Sequence, residues 1–261
     1  MKYVFEDISN IESIITKKSL VLLLDFDLTL SPLAKNPIEA FLPESTKNLL
    51  KQVLKNIPVI IVTGRKLDDI RKRVNIRGMS YVGNHGLEYF FNKKIEVLPV
   101  STSAKKALRK LKNKLVEKCK GYDEIILEDK KYSLSLGYRL VKSHKSNSLE
   151  RVFRNIQNEI KKDCLLETRL DKKTFEIRPK TNINKGTACS RMLKIIRDKL
   201  KKKITPLYIG DSETDEDAFK ILKKTGITVR VGKNTKSQAE WYLQNQKEVN
   251  YFLEWVLSAV K

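Results

Sequence analysis

The chain has 261 residues, 41% of them hydrophobic, and a formal net charge of +22; this length supports one sizeable α/β core with a smaller second unit but hardly two full-sized domains. No stretch approaches the roughly 20 apolar residues that span a bilayer, and the start, MKYVFEDISN, carries acids where a signal peptide is basic and then apolar, so we expect a soluble, cytoplasmic protein without membrane contact. The lysines alternate with leucines at helical spacing rather than with aromatics, and no zinc-finger or RRM signature occurs, so we interpret the charge as solvated helix faces and expect no nucleic-acid partner.

The first eighteen residues are predicted to form a helical lead-in, and short apolar strands follow it. SLVLLL at 19–24 is a continuous apolar run ending in acids, which is typical of a strand buried on both faces of a parallel sheet. Runs of the same character stand at 59–62, 81–82 and 206–209, and each leads into a polar loop. This succession predicts a doubly wound, Rossmann-like α/β core, in which ligands bind at the carboxyl ends of the strands.

The pattern of predicted helices and strands changes between roughly residues 101 and 181. A helical stretch, then EIILED and YSLSLGYRL, a second helical pattern, and finally LLETRL and TFEIRP give the order α-β-β-α-β-β. The alternating strands predict a small antiparallel sheet with helices on one face. We therefore predict a Rossmann-like core at 1–102 and 182–261, interrupted by an α+β cap domain at 103–181, with hinges near 99–103 and 179–184.

Two carboxylates, Asp25 and Asp27, directly follow the first apolar strand. At i and i+2 of an extended chain they lie on the same side, where they repel each other unless a cation intervenes. Two unit charges about 3 Å apart cost on the order of 5 kcal/mol at an effective dielectric of 20, so a carboxylate approaching a phosphate needs a metal such as Mg²⁺. In that arrangement Asp25 is the nucleophile that forms an aspartyl-phosphate and Asp27 is the acid and then the base. The alternative interpretation is that Asp25 and Asp27 belong to a solvated turn after the strand and have no catalytic role.

Three further positions follow strands or precede helices in the same way. In GDSETDED, Asp211 is predicted to bind the metal directly and Asp215 to be an outer or alternate ligand, although acids also favour helix starts without a metal. Thr63, within VTGR, and Lys185, which precedes a helix in NINKGTA, can donate to a phosphate oxygen. Each also has an ordinary structural explanation, since strand-end Thr-Gly pairs and lysines are common.

The order DxDxT, TGR, insertion, NKG and GDxxTDEDAF resembles the haloacid dehalogenase (HAD) superfamily of aspartate-nucleophile phosphatases over nearly the whole chain. Within it the sequence is most similar to the trehalose-6-phosphate phosphatases, through LDFDLTLSP, IVTGR, VGNHGLE, LEDKKYSLSLGYR, FEIRP, NKG and GDSETDEDAF. The resemblance implies an Mg²⁺-dependent hydrolysis of trehalose 6-phosphate to trehalose and phosphate, the last step of trehalose biosynthesis. It assigns Asp25, Asp27, Thr63 and Lys185 to catalysis and Asp25, Asp27, Asp211 and Asp215 to the metal.

The resemblance also implies a substrate-binding set drawn from both domains, in which all members but Arg65 are expected to contact the sugar. It consists of Arg65, Asn84, His85, Gly86, Glu128, Lys130, Arg139, Glu176 and Arg178. A disaccharide presents hydroxyls that donate and accept, which such charged residues can satisfy. The alternatives are cross-strand ion pairs for the cap residues and a structural histidine at position 85.

Three residues depart from the family pattern, and two other functions remain open. Leu28 stands where the family usually has glycine, Ser212 where it has a second aspartate, and Gly137 where a histidine precedes the Tyr-Arg pair. Gly137 makes another substrate possible, such as sucrose phosphate or a glucosyl- or mannosyl-glycerate phosphate. A third possibility is a catalytically silent domain that binds a partner such as a trehalose-phosphate synthase.

Overall fold

The structure is a computed structural model that describes residues 1–16, 19–34, 36–122, 124–171 and 173–260. It separates into two compact units, one formed by Met1–Val97 with Ile183–Lys261 and the other by Leu98–Asn182. The sequence-based boundaries, after residues 102 and 181, lie within a few residues of these limits, and the interpretation of the second unit as a cap stays a prediction.

Thirteen strands and eight α-helices occur in the described part of the chain. The strands are β1 (Lys2–Tyr3), β2 (Ser19–Leu24), β3 (Val59–Val62), β4 (Ser80–Gly83), β5 (Glu88–Phe91), β6 (Lys94–Val97), β7 (Ile126–Asp129), β8 (Leu134–Gly137), β9 (Leu166–Asp171), β10 (Thr174–Pro179), β11 (Ile204–Gly210), β12 (Ile227–Val231) and β13 (Trp241–Leu243). The helices are α1 (Ile8–Ile15), α2 (Glu44–Val53), α3 (Leu67–Val74), α4 (Thr102–Lys118), α5 (Ser143–Asp163), α6 (Lys185–Leu200), α7 (Glu216–Leu222) and α8 (Lys247–Ala259).

The first unit is built on one mixed sheet in the order β1-β13-β12-β11-β2-β3-β4-β5-β6. The pairs from β1 to β4 are parallel, and β5 and β6 add an antiparallel edge. β2 lies near the centre because SLVLLL is apolar on both faces and is buried along nearly its whole length. The predicted α/β fold with a parallel-sheet core is confirmed.

The prediction of a helical lead-in is only partly right. Residues 8–15 do form α1, but Lys2–Tyr3 is an edge strand, and residues 17 and 18 lie outside the described residues. The strand forms because Lys2 N donates to Glu240 O at 2.9 Å and the Tyr3 ring packs on Tyr242 at 5.5 Å. This long-range pairing with β13 could not be seen in the local pattern.

The helices of the first unit pack on its sheet through apolar residues that recur every three to four positions. In α8 the buried residues are Val249, Phe252, Leu253, Val256 and Leu257. They join the buried strand residues and the inner face of α2 in one continuous core. The carboxyl ends of β2, β3 and β11 are thereby fixed on a rigid frame.

The second unit is a four-stranded antiparallel sheet in the order β7-β8-β10-β9. Its helices pack on one face, where the Phe153 ring of α5 stacks on Phe175 of β10 at 4.6 Å. Phe175 and Ile177 alternate with Glu176 and Arg178, so the charged pair lies on the opposite face. The predicted order α-β-β-α-β-β is confirmed.

Within the described ranges, we find no helix with the length and apolar character needed to cross a membrane.

Candidate active site

Three buried aspartates meet at the carboxyl ends of two neighbouring strands. β2 and β11 run parallel, and Asp25 N donates to Ile209 O at 2.9 Å, so the loops after both strands start side by side. Carboxylate oxygens of Asp25, Asp211 and Asp215 lie within 4.8 Å of one another. Residues 25 and 211 thus share one site, as the sequence analysis requires.

Lys185 joins two of these carboxylates. Its Nζ donates to Asp25 Oδ1 at 2.7 Å and to Asp215 Oδ1 at 2.8 Å, and its side chain is 3% exposed. Contrary to the sequence interpretation, Lys185 does not precede α6 but is its first residue, because Asn184 caps the helix through Thr187 N. The cap fixes the direction in which the lysine leaves the helix.

The pKa values follow from burial and from the charges in this cluster. Burial raises the pKa of Asp25 well above its usual value, although Lys185 opposes the rise. Burial alone would lower the pKa of Lys185, but Asp215 and Asp25 outweigh it and raise that pKa. Burial would likewise raise the pKa of Asp215, yet Lys185 and further hydrogen bonds lower it. Asp215 is therefore the more firmly ionised of the two carboxyls.

Asp215 is fully buried and saturated with donors. Oδ1 accepts from Lys185 Nζ and from Tyr208 OH at 2.5 Å, and Oδ2 accepts from Asp211 N at 3.1 Å and from Ser212 N and Oγ at 2.8 and 2.6 Å. Gly210 makes room for it, since a Cβ there would lie 2.4 Å from Asp215 Cγ. With its lone pairs engaged, Asp215 can orient the Asp211 loop but has little capacity left for a metal.

The donor set suits a divalent cation. Three carboxylates and one ammonium give the buried cluster a formal charge of −2, which such an ion would neutralise. Hard carboxylate oxygens are the ligands that Mg²⁺ prefers. Asp25 and Asp211 both contribute carboxylate oxygens to this cluster, whereas the side chain of Asp27 is not part of it; the assignments of these acids to the metal stay predictions.

Asp27 is held instead by Arg65. Arg65 Nε donates to Asp27 Oδ2 at 2.8 Å and Oδ1 at 3.1 Å, and Nη2 donates to Oδ1 at 2.6 Å. The Arg65 side chain is 6% exposed and that of Asp27 is 44% exposed. The carboxylate therefore has one edge fixed by a guanidinium and another open to an incoming group.

Thr63 and the Asn84–Gly86 turn lie beside the same sheet edge. Thr63 is buried, and its Oγ1 accepts from Arg65 N at 3.2 Å, while His85 N donates to Thr63 O at 3.1 Å. The His85 ring packs directly on Gly64, where a Cβ would lie 2.4 Å from Nε2. These contacts fit the structural explanation of His85 as well as a ligand role, which stays a prediction together with those of Thr63 and Gly86.

Glu88 is a buried residue that sequence reasoning missed. Its Oε2 accepts from Asn84 Nδ2 at 2.6 Å and from Leu67 N at 3.0 Å, so it ties the turn to the first turn of α3. The acid follows Asn84 by four residues in NHGLE, but its contact with the first turn of α3 joins segments about twenty residues apart and has no local signal. Asn84 accordingly has a structural contact in addition to its predicted role.

The predicted sugar ligands of the second unit form rows across its helix-free face. Ser135 pairs with both Glu128 and Glu176, and Lys130 Nζ donates to Glu176 Oε1 at 3.2 Å. Arg178 Nε donates to Glu167 Oε1 at 2.5 Å, while its Nη1 is buried without a hydrogen-bond partner among the described residues. Arg139 is exposed and lies beyond the end of β8. Their assignment to sugar binding stays a prediction.

Comparison with known proteins agrees with this geometry. The α/β fold is shared with solved structures, and an α/β protein with buried acids at the ends of adjacent parallel strands is the class that the fold and the site define. A family model described as trehalose-phosphatase matches residues 23–249. The chain belongs to the trehalose-phosphatase family, and the predicted resemblance is confirmed.

Two curated plant relatives illustrate the similarity. Trehalose-phosphate phosphatase B of Arabidopsis thaliana is 32% identical over 258 residues, covering 91% of this chain and 66% of that protein. Probable trehalose-phosphate phosphatase 4 of Oryza sativa subsp. japonica is 31% identical over 255 residues, covering 94% and 69%. The chain thus spans about two thirds of the length of these relatives.

Two solved structures share the fold. The C-terminal domain of C. albicans trehalose-6-phosphate phosphatase superposes with a TM-score of 0.82 at 19% identity over 96% of both chains. The C-terminal domain of the Candida albicans trehalose synthase regulatory protein superposes with a TM-score of 0.75 at 11% identity over 97% and 98%. Since one of these is called a phosphatase and the other a regulatory protein, the fold alone does not decide catalysis.

Proposed function

We propose that the chain hydrolyses trehalose 6-phosphate to trehalose and inorganic phosphate, with Asp25 as the nucleophile. The observation that carries this proposal is the buried cluster in which Lys185 lies between Asp25 and Asp215, with Asp211 beside them. A purely structural acid cluster would gain nothing from a net charge of −2, whereas a phosphoryl-transfer site needs that charge to hold a cation.

In the first step a carboxylate oxygen of Asp25 attacks phosphorus and the bond to the sugar oxygen breaks. The departing oxygen takes a proton from Asp27, whose side chain is 44% exposed and lies two residues beyond the nucleophile. Trehalose leaves, and an aspartyl-phosphate remains at position 25. Lys185 and the hydroxyl of Thr63 supply hydrogen-bond donors for the phosphoryl oxygens.

In the second step a water molecule attacks the phosphorus of the aspartyl-phosphate. Asp27, now ionised, takes a proton from this water as the bond between phosphorus and the Asp25 oxygen breaks. Inorganic phosphate leaves, and both carboxyl groups return to their starting states.

Asp25 and Asp211 would hold the metal, which we propose is Mg²⁺. When bound, Mg²⁺ neutralises negative charge on the phosphoryl oxygens and favours ionised carboxylates. Asp215 serves indirectly, because its bonds to Asp211 N and Ser212 N fix the loop that carries the ligand. Ser212 stands where the family pattern has a second aspartate, and its hydroxyl donates to Asp215 Oδ2 in the same network.

Sugar recognition is proposed to involve the polar face of the second unit. The buried Arg178 Nη1, without a partner in the described chain, has a donor to offer, and a sugar hydroxyl would satisfy it. Lys130 and Glu176 can present a donor and an acceptor in the same way. The intact reactive cluster favours catalysis over the silent alternative, while Gly137 leaves another sugar phosphate as the second candidate.

A substrate panel tests the proposal. Phosphate release is measured with trehalose 6-phosphate, sucrose phosphate, glucosyl-glycerate phosphate and p-nitrophenyl phosphate, with Mg²⁺ and with excess chelator. We expect the highest kcat/KM for trehalose 6-phosphate and no turnover after chelation. Higher kcat/KM for another sugar phosphate would replace the substrate, and no release from any of them would favour the partner-binding alternative.

A further inference from the structure

The guanidinium of Arg65 is committed to carboxylates at each of its three nitrogens. Nε and Nη2 donate to Asp27, and Nη1 donates to Asp69 Oδ2 at 3.0 Å. The guanidinium carries five N–H groups, and those on the Nε–Nη2 edge that faces Asp27 could reach a phosphate only if that carboxylate were displaced. This geometry favours Asp27 over a substrate phosphate as the group that this edge of Arg65 holds, and the substrate-binding role that the resemblance implies for Arg65 stays a prediction.

The Nη1 end of the Arg65 guanidinium, which does not contact Asp27, is held in place through Asp69. Asp69 also accepts from Arg73 Nε at 2.8 Å, and Arg73 Nη1 donates to the carbonyls of Ile38, at 3.0 Å, and Ala40. Asp69 and Arg73 lie on α3 and Arg65 just before it, each four residues from the next, so their ion pairs join the three side chains in one row. The guanidinium thus has a fixed orientation from which to hold Asp27.

Part of the Asp27 carboxylate remains open to an incoming group. A carboxylate has about four lone-pair sites, and Arg65 occupies two on Oδ1 and one on Oδ2. The carboxylate is also the exposed partner of the pair. A two-point contact fixes the plane of the carboxyl group, which a lysine or a water could not do.

For the phosphatase reaction proposed above, we propose that Arg65 is a positioning residue that orients Asp27 for proton transfer to the sugar oxygen, and not a ligand of the phosphate. General acid–base catalysis contributes about 10²- to 10⁴-fold, and a misoriented acid loses much of it. The loss should depend on how much the leaving group needs a proton.

Two substrates separate these roles. A sugar alkoxide is a poor leaving group and needs the proton of Asp27, whereas p-nitrophenolate leaves without one. The ratio kcat/KM reports events up to phosphoryl transfer to Asp25, before the water step common to both substrates. For Arg65→Met we expect kcat/KM to fall about 100-fold for trehalose 6-phosphate and to stay within about threefold for p-nitrophenyl phosphate.

A phosphate ligand would behave differently. Its loss would lower kcat/KM for both substrates together and would raise the inhibition constant of inorganic phosphate about tenfold or more. We expect that constant to stay within about threefold of wild type. An equal loss on both substrates, or weaker inhibition by phosphate, would overturn the proposal.

A double-mutant cycle tests whether Arg65 acts through Asp27. Asp27→Asn alone and Asp27→Asn with Arg65→Met should have the same kcat/KM for trehalose 6-phosphate within about threefold, because no further proton transfer is left to misorient. A further loss of about 100-fold in the double variant would contradict this role.

Two more variants separate this role from a purely structural one. Arg65→Lys keeps the charge without the two-point contact, and we expect about a tenfold, equally selective loss; this variant is decisive if Arg65→Met does not fold. Arg71→Gln is the matched control, since Arg71 lies on α3, which follows Arg65, but its guanidinium stacks on Phe90 at 3.9 Å outside the row, and both activities should be unchanged. Wild-type protein inactive on every substrate would refute the proposed function, whereas active wild type with a non-selective loss in both Arg65 variants would refute only the role of Arg65.

Discussion

Lys185→Met removes the one cation recorded between the buried carboxylates of Asp25 and Asp215 in the described chain. The three side chains are 3%, 5% and 0% exposed, so water can compensate little. Removing one partner of a buried pair costs about 3–5 kcal/mol. At about 2–4 °C per kcal/mol for a chain of this size, the melting temperature should fall by about 6–20 °C.

The assay is thermal unfolding at neutral pH with and without Mg²⁺. The charge of the cluster changes from −2 to −3 in the variant, so added Mg²⁺ should raise the melting temperature of the variant more than that of the wild type. Phosphate release should fall about 10²- to 10³-fold as well, since one donor to the phosphoryl oxygens is lost.

Lys194→Met on the exposed side of α6 is the control, and its melting temperature should change by no more than about 2 °C. If Lys185→Met melted at the temperature of this control, the lysine would not be neutralising the cluster. An Mg²⁺ response no greater than that of wild type would likewise refute the charge argument.

Three further predictions concern the surroundings of this cluster. Asp215→Asn should raise the Mg²⁺ concentration for half-maximal activity about 10- to 100-fold, because the loop of Asp211 loses its anchor; an unchanged titration would contradict the indirect role. Burial alone would raise the pKa of Asp69, but Arg73 and Arg65 outweigh burial and lower that pKa. The ionised Asp69 carboxylate therefore stabilises the folded state fully above the unfolded pKa of about 3.9, and this stabilisation is lost as pH falls through the lower folded pKa. Wild type should therefore lose more stability than Asp69→Asn in acid unfolding below about pH 4, and parallel curves would refute this. Arg178→Met should raise KM for trehalose 6-phosphate about tenfold but leave KM for p-nitrophenyl phosphate unchanged; an equal rise for both substrates would exclude sugar recognition.

The strands that carry the reactive residues were predictable because their signal is local. SLVLLL and VIIV are continuous apolar runs, and the polar residues that end them stand at the carboxyl edge of any parallel sheet. Asp25 and Asp211 could therefore be assigned to one site from strand ends alone. The particular pairing of β2 with β11 is what brings them within a few ångströms.

The partners of those residues were not predictable because they depend on side chains that meet across the fold. Tyr208 points its hydroxyl at Asp215 from inside β11, where the sequence shows only another apolar strand residue. Arg65 was expected to meet substrate, which stays a prediction, and its two-point contact with Asp27, thirty-eight residues away, was not visible in the sequence. The edge strand β1 also formed against expectation, since its partner β13 lies at the other end of the chain.

Leu28 shows how a local departure is tolerated. Its φ of 59° lies in the left-handed region that favours glycine, the residue usual here in the family. A leucine in this conformation costs about 1–2 kcal/mol, which the surrounding loop offsets. Thr29 N and Leu30 N both donate to Phe26 O, at 3.4 and 2.9 Å, and hold the turn that contains Asp27 and Leu28.

The most direct test of the account is chemical trapping of the intermediate. The enzyme is mixed with trehalose 6-phosphate and Mg²⁺, quenched in acid within one turnover and reduced with borohydride, which converts an aspartyl-phosphate to homoserine. Peptide mass spectrometry should find homoserine at position 25, and none when substrate or Mg²⁺ is omitted. Phosphate release with Asp25 unmodified, or with the label at Asp27, would contradict the assignment of Asp25 as the nucleophile.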